Sequence, residues 1–220
     1  VPENLSLTEA AALPEAMMTV YANIFMRSAF KEGETVLVHG GTSGIGSMAL
    51  QMVKAAGASK IWATAGSDEK CKAAEGFGAT RAINYKTEAF EKIVKDEGGA
   101  DVILDMVGGD YVQKNISAAK VNGRICNIAY LNGSKVELDL IYLMVKRLVL
   151  TGTTLRARPV EEKADIRSAV EKQFWSKVET GAIKPVIDAV YPLADAEAAQ
   201  AAMGDGGHIG KILLEVAPTG

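Results

Sequence analysis

Residues 36–46 read Val36-Leu-Val-His-Gly-Gly-Thr-Ser-Gly-Ile-Gly46, and this stretch decides the fold of the chain. An apolar run ends there in a glycine-rich turn, and a helical pattern follows over residues 47–56. Glycines let a backbone turn tightly and approach a ligand closely, and the free N–H groups at the start of a helix attract anions. The order of strand, glycine turn and helix therefore predicts a cradle for the pyrophosphate of a dinucleotide.

The glycine turn departs from the strict dinucleotide fingerprint in one place. Ser43 stands where the GxGxxG pattern has its middle glycine. The hydroxyl groups of Thr42 and Ser43 are candidate donors to phosphate oxygens, at the cost of slightly less room for the pyrophosphate. The candidate phosphate-binding residues of this turn are Gly41, Thr42, Ser43, Gly44, Ile45 and Gly46.

Short β-branched segments alternate with helical patterns from residue 34 onward. Strands are predicted at residues 35–39, 60–65, 81–84, 102–105, 123–128 and 147–153, with a helical segment after each of the first five. Such alternation builds parallel βαβ units, so we predict an α/β fold with a doubly wound parallel sheet of the Rossmann type. After a long helix at 159–180, strands at 186–191 and 211–216 flank a helix at 194–203, and we expect these strands to belong to another sheet.

The predicted elements divide the chain into three regions. Residues 1–30 are a helical lead-in, which opens with a capping box made by Ser6 and Glu9. Residues 31–155 are the dinucleotide-binding domain, and residues 156–220 are a C-terminal helix and strands. Because the chain begins without methionine, we expect it to be a piece of a longer protein, whose second domain is absent from this sequence or incomplete in it.

The end of the second predicted strand decides which nicotinamide cofactor fits. An NAD site usually places an acidic residue there to hold the adenosine ribose, but this chain reads Thr64-Ala-Gly-Ser67. Ser67 and Lys70 suit a 2′-phosphate, which needs a donor and a cation. Asp68 argues against a 2′-phosphate, unless its role is to place a negative charge at the positive end of the helix that follows. Tyr85 is either a cover for the adenosine phosphate or a surface aromatic residue, and the sequence predicts NADP(H) as the cofactor.

Charge and composition argue against several classes of function. The net charge is −3 and acidic and basic residues are interleaved, so the sequence predicts neither a nucleic-acid partner nor a membrane partner. Cys71 and Cys126 lack CxxC spacing, and His39 and His208 lie far apart in the sequence. We therefore expect no metal site and no disulfide, a cytoplasmic protein with reduced thiols, and a buried core position for His39.

With these residues placed, the chain resembles the medium-chain dehydrogenase/reductase superfamily, in particular its zinc-free quinone oxidoreductase branch. The resemblance extends over nearly the whole chain. The matching motifs are Leu7-Thr-Glu-Ala-Ala-Ala-Leu-Pro-Glu15, Thr19-Val-Tyr21, Val38-His-Gly-Gly-Thr-Ser-Gly-Ile-Gly46, Ile83-Asn-Tyr85, Leu104-Asp-Met-Val-Gly-Gly109, Gly152-Thr-Thr-Leu-Arg-Ala-Arg158 and His208-Ile-Gly-Lys-Ile212. It implies an NADPH-dependent oxidoreductase that transfers hydride to a quinone or another small α,β-unsaturated carbonyl compound.

The resemblance also implies roles for individual residues. Ser67, Lys70 and Tyr85 correspond to contacts with the 2′-phosphate, and Thr19 corresponds to a contact with the nicotinamide. The positions that correspond to the loops around the nicotinamide are Ile128, Ala129, Tyr130, Thr153 and Leu155, and Val107 is a further predicted cofactor contact. The family usually pairs the strand at residues 147–153 across a two-fold axis, which implies a homodimer.

The family implies a catalytic domain that this sequence does not contain. A GroES-like domain of about a hundred residues, an ordinary domain size, precedes the region matched here and holds the substrate-facing residues, including the family's active-site tyrosine. We therefore assign no catalytic residue. We expect the chain to bind NADPH more weakly than the longer protein and to reduce quinones poorly or not at all, because the shielding of the hydride would be lost.

Two other interpretations stay open. A short-chain dehydrogenase/reductase is suggested by Gly40-xxx-Gly44-Ile-Gly46 and by a YxxxK motif at Tyr142 and Lys146, in which the lysine would lower the pKa of the tyrosine. The competing explanation is a core tyrosine and a surface lysine, which the missing upstream serine and the long lead-in favour. The second interpretation is a non-catalytic module that holds NADP(H) as a sensor or scaffold.

Overall fold

Six parallel strands form the larger of two sheets in this computed structural model, which describes residues 1–216. The strand order is β3-β2-β1-β4-β5-β6. The strands are β1 Thr35–Val38, β2 Lys60–Ala65, β3 Arg81–Asn84, β4 Ala100–Asp105, β5 Ala119–Asn127 and β6 Val149–Gly152. All neighbouring strands of this sheet pair in parallel, which confirms the predicted doubly wound α/β fold.

Helices cover both faces of this sheet. The helices within and after it are α3 Gly44–Ala55, α4 Asp68–Phe77, α5 Phe90–Asp96, α6 Tyr111–Ala118, α7 Ile141–Val145 and α8 Val160–Glu179. Side chains alternate between the faces of a strand, so Val36 and Val38 pack into one core with α3 and α8. Leu37 packs into a second core with α5 and α6. Connections from β1 and β4 thus run to opposite sides, and the crevice between the carboxyl ends of these strands is where such folds bind ligands.

The lead-in is not the single helix to residue 30 that the sequence predicts. The capping box of Ser6 and Glu9 is confirmed and starts α1, Leu7–Ala11. A second helix, α2, runs over Pro14–Val20, since proline lacks the N–H needed within a continuous helix but fits a first turn. A π-helix follows at Tyr21–Arg27.

The two C-terminal strands lie outside the six-stranded sheet, as predicted, and they pair in parallel to form a small sheet of their own. Strand β7 runs over Ile187–Pro192 and β8 over Lys211–Glu215, with a short 3-10 turn and helix α9, Ala196–Gly204, between them. Gly210 is bridged to Ser43, so the start of β8 lies against the glycine turn. Residues 217–220 of the predicted third region lie outside the described residues. Within residues 1–216 no helix has the length and apolar character needed to cross a bilayer.

Candidate cofactor site

The glycine turn packs the first turn of α3 tightly against the end of β1. A Cβ atom added to Gly46 would lie 2.0 Å from the carbonyl oxygen of Gly40, and one added to Gly41 would lie 2.7 Å from Cβ of Ala63. Gly40 itself has a φ of +61°, a conformation that favours glycine. These glycines are therefore required by close packing, and the same packing brings the backbone N–H groups of α3 to the crevice.

Ser43 is the N-cap of α3. Its Oγ accepts a hydrogen bond from the N–H of Gly46 at 2.9 Å, and the hydroxyl lies 3.6 Å from the sulfur of Met106. Ser43 is predicted from the sequence to contact phosphate, whereas its capping role was not predicted. The N–H groups of Gly44 and Ile45 belong to the first helical turn, where they lack partners within the helix. They form the positive end of the helix dipole, which suits a pyrophosphate.

A cavity of about 360 Å³ opens beside the glycine turn. Five of the predicted cofactor residues line it: Thr42, Ser43, Ser67, Lys70 and Tyr85. Lys86 and residues 206–208 line it as well, although sequence analysis gave them no role there. The structure thus brings the predicted phosphate residues of three strand ends together and adds a wall from the loop before β8.

Ser67 and Lys70 are arranged by the start of α4. Ser67 is the N-cap, and its Oγ accepts the N–H of Lys70 at 3.2 Å, which leaves the hydroxyl hydrogen available to a ligand. Lys70 Nζ donates to the carbonyl oxygen of Gly206 at 2.6 Å. Asp68 accepts a hydrogen bond from Asn84 Nδ2 at 2.7 Å, so one of its carboxylate oxygens is bound to the end of β3. This arrangement leaves a donor and a cation at the cavity.

Tyr85 borders the same cavity from the end of β3. Its side chain is 46 % exposed. Its hydroxyl oxygen lies 2.7 Å from the position that a Cβ atom of Gly66 would take. The absence of a side chain at residue 66 therefore gives the tyrosine room to lie over the cavity.

Six of the predicted cofactor residues lie on three adjacent loops. Ile128 N–H donates to the carbonyl of Asp105 at 2.8 Å, and Thr153 N–H donates to the carbonyl of Asn127 at 3.3 Å. These two bonds join the loops after β4, β5 and β6, and the loops carry six of the predicted cofactor residues: Val107, Ile128, Ala129, Tyr130, Thr153 and Leu155. Tyr130 is half exposed, and Ile128 and Leu155 pack at the border of the core.

Asn23 of the π-helix joins Thr19 to these loops, a role that sequence analysis missed. Its Nδ2 donates to the carbonyl oxygen of Thr19 at 2.7 Å, and its Oδ1 accepts the hydroxyl of Thr153 at 2.6 Å. The thiol of Cys126 also donates to Oδ1, at 3.2 Å. Two residues predicted to touch the nicotinamide are therefore connected through one buried amide.

A buried carboxylate shapes the loop after β4. Asp105 is fully buried at the carboxyl end of that strand. Its Oδ1 accepts the N–H groups of Val107 at 2.7 Å and Gly108 at 3.2 Å, and its Oδ2 accepts the side-chain amides of Asn115 at 3.0 Å and Asn127 at 2.9 Å. Four donors thus fix this carboxylate, and the carboxylate in turn fixes the backbone of the loop after β4.

His39 continues this network to the glycine turn. Because Nδ2 of Asn115 donates to Asp105, Oδ1 of Asn115 faces His39 and accepts its Nε2–H at 2.7 Å. Nδ1 of His39 then accepts the hydroxyl of Thr64 at 3.0 Å, and that hydroxyl accepts the N–H of Gly40 at 3.3 Å. Burial lowers the pKa of His39, although Asp105 and Asn115 oppose the shift, which fits a neutral ring. The predicted core position of His39 is confirmed.

The YxxxK pair lies away from the cofactor cavity. Lys146 Nζ donates to three backbone carbonyls at the end of α6 and the start of β5, those of Ile116, Ser117 and Ala119, at 2.7 to 3.1 Å. This is the amino edge of the sheet, opposite the glycine turn. Tyr142 is 49 % exposed and is not a core residue. The short-chain dehydrogenase interpretation is not supported by this geometry. The explanation as a core tyrosine was also wrong, because Tyr142 is half exposed.

Comparison with known proteins identifies the family. A family model described as zinc-binding dehydrogenase matches residues 44–172, more than half of the chain. The chain belongs to this dehydrogenase family. The match includes α3 and the sheet from β2 to β6. Within residues 1–216 no three His, Cys, Asp or Glu side chains gather where they could hold a metal ion, so the described residues do not fit the zinc of the family's name.

Individual members of the dehydrogenase family match nearly the whole chain. Human quinone oxidoreductase is 31 % identical over 218 residues, which cover 97 % of this chain and 64 % of that protein. The quinone oxidoreductase of Thermus thermophilus, solved with NADPH, is 28 % identical with a TM-score of 0.86, over 98 % of this chain and 69 % of that one. An NAD-dependent alcohol dehydrogenase is 30 % identical with a TM-score of 0.84, over 98 % of this chain and 61 % of that one.

These relatives confirm the resemblance to the medium-chain dehydrogenase/reductase superfamily and to its quinone oxidoreductases. The chain spans about three fifths of the length of the human protein and of the alcohol dehydrogenase. The chain belongs to a family of oxidoreductases, and it has the fold with which that family binds a nicotinamide cofactor.

Proposed function

We propose that this chain binds NADP(H) and is the cofactor-binding part of a reductase that acts on a quinone or another α,β-unsaturated carbonyl compound. The observation that carries the proposal is the cavity in which the glycine turn, Ser67 and Lys70 meet. The solved relative from Thermus thermophilus, which has a complex with NADPH, supports this choice of cofactor. An NAD-dependent relative exists as well, so the preference for the 2′-phosphate has to come from Ser67 and Lys70.

The residues fit the cofactor part by part. The first turn of α3 presents backbone N–H groups to the pyrophosphate, and Ser67 and Lys70 offer a hydroxyl donor and a cation to the 2′-phosphate. Thr19 and the loops after β4, β5 and β6 orient the nicotinamide in this proposal. When bound, the cofactor supplies the hydride. The chain's own part is binding and orientation, and we assign it no acid or base.

Replacing Lys70 with alanine tests the cofactor preference. We expect the affinity for NADPH to fall roughly tenfold or more, because a charge-assisted contact with the 2′-phosphate is lost. The affinity for NADH should change little, since NADH lacks that phosphate. Isothermal titration calorimetry with both nucleotides measures the difference.

Lys72→Ala is the matched control, because Lys72 is an exposed lysine of the same helix and does not line the cavity. An equal loss for NADPH and NADH in Lys70→Ala would contradict the assignment of Lys70. Absence of binding of either nucleotide to the unaltered chain would contradict the proposed function itself.

We also propose a homodimer formed through β6. Val149 and Leu150 of this edge strand are exposed by 50 % and 37 %, and Ile141, Met144 and Val145 of the adjacent α7 are exposed as well. An apolar edge strand must be covered or paired, since its unpaired backbone groups attract another strand.

Val149→Lys is expected to convert this dimer to a monomer, because a lysine on an edge strand opposes pairing. Light scattering coupled to gel filtration at tens of micromolar protein measures the mass. Val160→Lys, at an exposed position on α8, is the control and should leave the dimer intact. A monomeric unaltered chain would contradict the proposal.

A further inference from the structure

A second cavity, of about 750 Å³, opens beside the C-terminal end of helix α3. The ends of α3 and α4 form one side of it, and the loop between α8 and β7 forms the other. The cofactor cavity lies at the other end of α3, and the two cavities share no lining residue. Ligand-binding cavities in proteins span about 300 to 1,000 Å³, so this one has room for a small organic molecule.

Hydrogen bonds hold the loop at residues 181–187 in place. Gln51 of α3 bonds to Lys184 twice, because its Oε1 accepts the N–H at 2.8 Å and its Nε2 donates to the carbonyl at 3.0 Å. The carbonyl of Val186 accepts the N–H of Lys211 at 2.8 Å. The loop is thus attached to α3 and to β8. A cavity whose walls are already fixed binds a ligand at a lower cost in conformational entropy.

Two lysines at this cavity have no acidic partner. Lys54 from the last turn of α3 and Lys184 from the loop both line it. Neither forms an ion pair within residues 1–216, and the described lining contains no acidic residue. Glu75 and Asp188, which adjoin lining residues in the sequence, each accept a backbone N–H. The cavity therefore carries two positive charges that no carboxylate neutralises.

The ends of α3 and α4 do not cancel these charges. The carbonyl groups at each helix end are equivalent to roughly half a negative charge, so two helix ends oppose the two full charges of the lysines only in part. Some of these carbonyls are also capped. The N–H of Ala56 donates to the carbonyl of Met52 at 3.0 Å, and the N–H of Gly78 donates to the carbonyl of Glu75 at 3.0 Å. The remaining potential in the cavity favours an anion.

Apolar side chains form the rest of the cavity wall. They are Ala55, Phe77, Pro185, Val186 and Ile187. Phe77 packs at the border of the core and is only partly buried, so part of its ring stays accessible at the cavity. A ligand with an apolar body would remove this surface from water, and an aromatic body would also pack against the ring.

We propose that this cavity binds a small organic anion with an apolar body, such as an aromatic carboxylate. The ammonium groups of Lys54 and Lys184 hold the negative group, and the body lies against Phe77 and Pro185. The inference is independent of the proposed function, because it uses no residue of the cofactor cavity. It gives the chain a second binding site, at the opposite end of α3 from the proposed pyrophosphate contact.

Three matched probes separate the charge of the ligand from its apolar body. Naphthoate carries both, naphthamide has the same body without the charge, and acetate has the charge without the body. We expect naphthoate to bind the unaltered chain, naphthamide to bind about tenfold more weakly, and acetate to show no binding at the same concentrations. NMR titration measures the affinities, and the amide shifts that change should belong to residues 51–55, 76–77 and 181–187.

Methionine substitutions remove the lysine charges and keep most of the side-chain stems. Lys54→Met and Lys184→Met should each weaken naphthoate binding about fivefold to tenfold and leave naphthamide binding unchanged, because only the ammonium group is lost. Lys54→Arg keeps the charge and should retain most of the affinity. Lys72→Met, at an exposed position of α4 outside the cavity, is the control. Circular dichroism and thermal unfolding establish that each variant is folded.

Several outcomes would overturn the inference. An equal loss of naphthoate and naphthamide binding in the methionine variants would assign the two lysines a structural role only. Shift changes confined to the glycine turn, or displacement of naphthoate by saturating NADPH, would place the probe in the cofactor cavity. Titration with NADPH alone reports separately on the proposed function. A chain that binds naphthoate but not NADPH keeps this site and loses that function, and the reverse result rejects only this site.

Discussion

Gly46→Ala is expected to destabilise the chain by about 3 kcal/mol and to abolish binding of NADPH. The new methyl group would lie 2.0 Å from the carbonyl oxygen of Gly40, which is backbone and cannot move aside like a flexible side chain. Relief requires α3 to shift away from β1, and that shift would displace the N–H groups proposed to hold the pyrophosphate. Urea unfolding and calorimetric titration measure the two effects.

Gly76→Ala is the matched control for Gly46. Gly76 lies within helix α4, and a Cβ atom added there would meet nothing within 4 Å. Alanine is the better helix former and restricts the unfolded chain, so this variant should gain about 0.5 to 1 kcal/mol. If Gly46→Ala were as stable as the unaltered chain and bound NADPH equally well, the close approach of α3 to β1 would not be required for the site.

Asp105→Ala is expected to cost about 4 kcal/mol of folding free energy. The carboxylate is fully buried and accepts four hydrogen bonds, from Val107, Gly108, Asn115 and Asn127. Removing it leaves buried donors without partners, and each such group costs about 1 to 3 kcal/mol when it cannot reach water. Because the loop after β4 loses its anchor, affinity for NADPH should fall as well.

Asp110→Ala is the control for Asp105. Asp110 is an exposed residue at the start of α6, and its carboxylate pairs with Lys114 one helical turn later. Exposed pairs of this kind contribute about 0.5 kcal/mol or less. Chemical denaturation of both variants gives the comparison, and equal stability of the two would show that the network around Asp105 does not support the loop.

Local patterns sufficed to predict most of the sheet. Strands β2 and β3 have the predicted bounds, because each is a short β-branched run that ends at a turn or at a helix cap. The capping box of Ser6 was readable for the same reason, since its two partners lie three residues apart. The glycine turn could be placed at a ligand crevice because its strand and its helix are adjacent in the sequence.

Contacts between distant residues could not be predicted in this way. The bond from Lys70 to Gly206 joins residues 136 positions apart, and the bond from Thr153 to Asn23 spans 130 positions. No periodicity or motif signals such a pair. Gly206, Gly207 and Asn23 were therefore not among the site residues predicted from the sequence.

The π-helix at Tyr21–Arg27 determines which side of the preceding helix α2 faces the six-stranded sheet. Successive residues of an α-helix are separated by about 100° around the axis. A π-turn accommodates an additional residue, as the bond from Ser28 N–H to the carbonyl of Asn23 illustrates. Deleting one residue here would restore α-helical winding and turn Thr19 by about 100° away from Thr153. The number of residues in this turn therefore determines which side chain of the lead-in faces the loops after β4, β5 and β6. We expect family members that are one residue shorter or longer there to present a different side chain to these loops.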